Sequence, residues 1–181
     1  MYIKINAISL SIVFICTIAM VTDLLYSKIY NVLTVSGFFL GVIIHFLDLG
    51  PKGFIYSISG ASVAFLICVP LYLTSIFAGG DFKLFVALGA LGGVSYFFNT
   101  LQLSILVGCA FALVQLAVNR KLFDFLRRVF RSFLSFVIRP LDSHLPKIDK
   151  STKMPYAIPI GVAAIAEVFF HPLKNWGLNL W

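Results

Sequence analysis

Charge is what this chain has least of. Only 12% of its 181 residues are Asp, Glu, Lys or Arg, against about 25% in a soluble domain. Hydrophobic residues make up 60%, and the mean hydropathy is +1.00. Water would not tolerate such a chain as a monomer; lipid would, and long runs without any charge point the same way. Cysteine is also scarce. Cys16, Cys68 and Cys109 each sit inside an apolar run and form no CxxC pair. That argues against a zinc site and leaves all three as small buried hydrophobes. No A-x-A cleavage site precedes Asp23, and the first residues carry only Lys4. The first apolar run is therefore expected to be a retained transmembrane helix rather than a signal peptide.

The net charge is +7, but the basic residues are not spread as a nucleic-acid-binding surface would need. They concentrate in one segment between apolar runs, a pattern suited to the inner face of a membrane and its anionic lipids. Six apolar spans are legible: Ile5–Val21, Val32–Leu47, Phe54–Ala78, Leu84–Phe98, Leu101–Val118 and Pro155–Phe170. A helix needs about 20 residues to cross the hydrocarbon core. With the N-terminus outside, the cytoplasmic loops are 22–31, 79–83 and 119–154. They hold eleven of the Lys and Arg residues, leaving Lys4, Lys52 and Lys174 outside. Cytoplasmic loops carry such an excess. The expected fold is an all-α polytopic membrane protein, a single domain over 1–181, with about six transmembrane helices. Its basic loop 119–154 carries a further helix. There Asp124, Arg127, Arg128, Arg131 and Ser135 recur at helical spacing opposite a Leu, Phe and Val face, which predicts an amphipathic helix over 120–139 lying on the inner leaflet.

Small residues pattern the spans: Gly37 with Gly41, Gly89 with Gly93, and the run Gly60, Ala61, Ser62, Ala64. Helices in lipid gain attraction by close backbone packing at such residues. Pro70 is expected to kink the third span.

Two carboxylates stand out. Asp23 closes the first span and Asp81 opens the fourth, so the charge-based topology puts both at one membrane face. Position alone proves little, since a charge costs roughly 2.5–3.5 kcal/mol at the bilayer centre and less at a helix end. Asp81 follows Gly79 and Gly80, which break the helical run and strip side-chain bulk from beside the carboxylate, room for a substrate backbone to approach. A helix start also attracts negative charge. Lys83 is two residues on and would point away from Asp81 on a helix, towards lipid headgroups. Asn31 precedes the second span and is placed to cap it. His45 and Glu167 are expected to serve structure. Two like-charged carboxyls held together cannot both ionise. One then takes a proton from water while the other donates to a carbonyl or leaving amine, the division of labour that peptide hydrolysis needs.

At these residues the chain resembles the prepilin peptidases, the type IV leader peptidase family. Asp23 with Lys28, Ile29, Asn31, Leu33 and Thr34 is similar to the family's D-x5-I-x-N-x-L-T; Gly80-Asp81 with Lys83 and Leu84 to its G-x-G-D-x-K-L; Pro155-Tyr156-Ala157 with Pro159 to its P-Y-A-x-P. Ala78 replaces the first glycine of the second pattern, and Tyr30 a proline common before the Asn. The resemblance implies an aspartic endopeptidase without a cofactor that cleaves a prepilin leader, typically after a glycine, at the cytoplasmic face of the bacterial inner membrane. Asp23 and Asp81 would be catalytic, with Gly79, Gly80, Lys83, Asn31, Pro155 and Tyr156 shaping the site. Longer members add a cysteine-bearing domain that methylates the new terminus. This chain looks like the short Flp/Tad branch, so no methylation is expected. The residues by themselves also admit a small ion- or proton-coupled transporter, and a non-enzymatic part of a pilus or secretion machine.

Overall fold

The structure is a computed structural model and describes residues 7–74, 77–118, 127 and 156–170. Among them every regular element is helical: α1 (Ala7–Tyr26), α2 (Asn31–Leu49), α3 (Pro51–Leu73), α4 (Gly79–Val118) and α5 (Ala157–Phe170). The chain divides into two compact units. The first, Met1–Val107 with Pro155–Trp181, contains α1 to α3, α4 as far as Val107, and α5. The second, Gly108–Met154, is described only through the last turns of α4 and Arg127. The amphipathic helix expected at 120–139, Arg127 apart, and the rest of the loop 119–154 lie outside the described residues.

Among the described residues four helices are long and apolar enough to cross a membrane: α1, α2, α3 and, over Gly79–Val114, α4. Among the described residues α5 covers 14 residues, a rise of about 21 Å. The boundary expected between the fourth and fifth spans, at Asn99 and Thr100, falls elsewhere: those two residues are buried and helical, and α4 is two helices that meet at a break. The break sits at Gly93 instead (φ 79°, ψ −174°).

Hydrophobic periodicity explains the packing. On α1 the buried residues are Ile12, Ile15, Cys16, Ala19 and Asp23, a stripe at three- and four-residue spacing. On α4 they include Leu84, Phe85, Leu88 and Leu91. α1 packs on both α2 and α5, and α2 on α3. Glycines set the closest approaches. A Cβ on Gly41 would fall 2.8 Å from the Ala90 backbone, and Gly60 meets Gly89 backbone to backbone. Of the paired glycines noted in the sequence, all four serve packing, and Gly93, whose Cα lies against Gly60, also makes the break. Cys16 and Cys68 are buried; Cys109 is exposed, contrary to expectation. Pro70 falls in the last turn of α3, three residues from its end.

The break at Gly93 disturbs the backbone donors that the preceding carbonyls would use. In an apolar surround each unsatisfied carbonyl is costly, and side chains of α2 and α3 answer three in a row. Ser57 Oγ donates to Ala90 O at 2.8 Å, Tyr56 OH to Gly92 O at 2.8 Å, and His45 Nε2 lies 2.9 Å from Leu91 O. The last contact requires the tautomer with its proton on Nε2. The His45 and Tyr56 rings meet edge-on at 5.0 Å. The structural role expected of His45 has this specific form.

Gly93→Ala should therefore be costly: its φ lies where a Cβ is strained by about 1–2 kcal/mol, and the new methyl would run into the Tyr56 ring. Thermal unfolding in detergent checks this, with a lowered midpoint expected and an unchanged one contradicting it.

Candidate active site

Asp23 and Asp81 face inward because of where they fall in their helices. Asp23 lies four residues beyond Ala19 and continues the buried stripe of α1. Asp81 lies three and four residues ahead of Leu84 and Phe85 and begins the buried stripe of α4. Their exposures are 8% and 5%. They are within electrostatic reach of each other, at the end of the bundle where α1 finishes and α4 starts.

Each carboxyl holds a backbone donor. The Ala78 N–H donates to Asp81 Oδ2 at 3.2 Å. The Ala157 N–H donates to Asp23 Oδ2 at 3.1 Å across 134 residues of sequence. Ala157 is the first residue of α5, so its N–H is one of the donors that a helix start leaves without an intrahelical acceptor. Asp23 thus ends its own helix and satisfies the beginning of another. α1 itself stops through Ser27, which has a left-handed φ of 51° and bonds its N–H to Asp23 O at 2.8 Å.

Three sequence stretches meet here pairwise. The first and third join through Asp23 and Ala157. The first and second join twice. Lys83 Nζ donates to Asn31 Oδ1 at 2.8 Å, and a Cβ on Gly80 would lie 2.9 Å from Ile29 Cβ. The second and third join through rings, with Phe77 and Tyr156 at 5.4 Å; Phe77 also stacks on Phe85 at 5.4 Å.

Several sequence expectations change in this light. Asn31 does not cap α2: the cap is Tyr30, without a side-chain bond, and Asn31 is the first helical residue. Lys83 is exposed, and its ammonium donates to Asn31. The space beside Gly80 is filled by Ile29. Gly79 differs, since a Cβ there would meet only Tyr72 at an ordinary 3.5 Å. Tyr156 is half-buried beside Phe77, and Pro155 lies outside the described residues. Missed at the sequence level were the Ala157 N–H, which no side-chain pattern advertises, and the aromatic bridge through Phe77.

Deeper in the bundle, Glu167 is 2% exposed and accepts a hydrogen bond from Asn99 Nδ2 at 2.9 Å. Tyr96 OH donates to Ala164 O at 2.8 Å. These bonds fasten α5 to α4 and help hold Ala157 where Asp23 can use it. Among the described residues no three His, Cys, Asp or Glu side chains gather as a metal site.

The model of the type IV leader peptidase family covers residues 10–113, more than half of the chain; it includes Asp23, Gly80 and Asp81 and stops short of Tyr156. No curated protein and no solved structure matches the chain.

The contact between Gly80 and Ile29 predicts coupling. Gly80→Ala should lower the unfolding midpoint, and adding Ile29→Ala should recover part of the loss, a coupling of about 0.5–3 kcal/mol between touching residues. Strictly additive midpoint shifts in the double-variant cycle would contradict the contact.

Proposed function

Because the chain belongs to the type IV leader peptidase family, we propose that it is a membrane aspartic endopeptidase cleaving the leader of type IV or Flp-like prepilins, with Asp23 and Asp81 as its catalytic pair. One observation carries the reading: two carboxyls from separate motifs are buried at the same end of the bundle, within reach of each other's charge.

One carboxylate is ionised and takes a proton from the attacking water as its oxygen bonds to the scissile carbonyl carbon. The other carboxyl is protonated and gives its proton first to the carbonyl oxygen. The carbon–nitrogen bond then breaks, and the leaving amine takes up a proton from the pair. The reaction needs the two carboxyls in opposite protonation states, one as base and one as acid. The backbone donors from Ala78 and Ala157 fix each carboxyl's rotamer. Gly79, Gly80, Asn31, Lys83, Pro155 and Tyr156 shape the approach, through the Ile29 and Phe77 contacts where these are described. No cofactor takes part.

The helices among the described residues that are long and apolar enough to cross a membrane, together with the family, support a multi-pass membrane protein. In the reading proposed, its N-terminus is outside, the Asp pair faces the cytoplasm of a bacterial inner membrane, and the basic segment 119–154 touches anionic lipid. The eleven-to-three bias of Lys and Arg supports this orientation.

Asp23→Asn and Asp81→Asn should each reduce cleavage of a candidate prepilin by about 10²–10⁴-fold, with the double variant little worse than either single, since paired groups act as a unit. Cleavage assayed in reconstituted vesicles tests this. Normal turnover by either variant would overturn the pair. With a methyl donor added, the product's new terminus should stay unmethylated by mass; a methylated product would contradict that part of the proposal.

A further inference from the structure

On the other side of α4 from Asp81 lies an apolar groove of about 490 Å³ bounded by α2, α3 and α4, a size common to small-ligand sites. Its walls include Val35, Phe38, Phe39, Phe65 and Phe82, and its polar end is formed by Asn31, Thr34 and Lys83. The aromatic walls brace one another: Phe65 and Phe82 rings lie 5.4 Å apart, Phe38 and Phe39 5.5 Å, and Tyr72 stacks on Phe82 at 5.7 Å. We propose that this groove is a site for one anionic phospholipid, its headgroup at Lys83 and an acyl chain among the phenylalanines.

Charge decides the occupant. Among the described residues no carboxylate lines the groove, and the ionic group at its rim is a cation, Lys83. A lysine ammonium has three donors; the bond to Asn31 orients it and uses one. Lysines at the ends of membrane helices extend to the headgroup level. The walls carry exposed Val35, Phe39 and Phe65, so the groove opens towards the bilayer. Geometry disfavours the substrate. Two residues on a helix turn through about 200°, so Lys83 looks away from the cavity side that holds Asp81, and neither aspartate lines the groove. Asn31 and Lys83 also stand among the residues proposed to shape the substrate's approach, but lipid retention is read without catalysis, so the two readings fail separately.

The test is native mass spectrometry on protein released from vesicles of mixed phosphatidylglycerol and phosphatidylcholine. Wild type should retain the anionic lipid over the neutral one by about fivefold, the effect of roughly 1 kcal/mol for one lysine near anionic lipid. Lys83→Gln should lower that preference and Lys83→Arg keep it, whatever the basic segment 119–154 adds in all three proteins. Val35→Trp, which fills the groove, should lower retention of the anionic lipid. No preference in wild type, or an undiminished one in Lys83→Gln, overturns the proposal. Addition of a prepilin peptide should leave the bound lipid in place; its displacement would assign the groove to substrate and equally overturn it.

Discussion

The hydrogen bond from the Ala157 N–H to Asp23 Oδ2 joins the last described helix to the first, and it exists because hydrocarbon offers no water to a helix end. A polar group inside an apolar bundle must find its partner in the chain. That constraint is met repeatedly here: by Asp81 with the Ala78 N–H, by Glu167 with Asn99, and by Ser57, Tyr56 and His45 at three successive carbonyls before Gly93. Each of these bonds also fixes one helix against another. The carboxyls proposed for chemistry are thus held by the same kind of bond that holds the fold.

The break at Gly93 and the site at Asp81 lie on the same helix, twelve residues apart. Before the break, α4 must stay close to α3 at Gly60 and Gly89 and to α2 at Gly41 and Ala90. That stretch carries Asp81 to its inward position. Past the break, α4 presents Tyr96 and Asn99 to α5, the helix whose first N–H reaches Asp23. One glycine with a positive φ therefore separates the part of α4 that bears a carboxyl from the part that supports the other carboxyl's partner.

Much of the site was legible because it rests on residue identity. Asp23, Asn31, Gly80, Asp81, Lys83 and Tyr156 lie in three ordered stretches, and the buried stripe Ile12, Cys16, Ala19, Asp23 follows helical spacing that sequence carries directly. What escaped depends on backbone or on distant partners. Asn99 and Thr100 look like the edge of a span until Glu167 and Tyr96, with their bonds across the bundle, make burial affordable. Gly93 looks like half of a packing motif, because its positive φ is invisible in a glycine's identity. Asn31 looks like a cap, since nothing local reveals that Lys83, 52 residues away, takes its oxygen.

The central claim is that Asp23 and Asp81 form one site. Its most direct measurement is cross-linking of Asp23→Cys with Asp81→Cys in membranes, with the exposed Cys109 replaced by alanine and a short bis-thiol reagent added. The account predicts an intramolecular cross-link, lost when one cysteine of the pair is moved to exposed Leu24. Full insertion without any cross-link between positions 23 and 81 would contradict it.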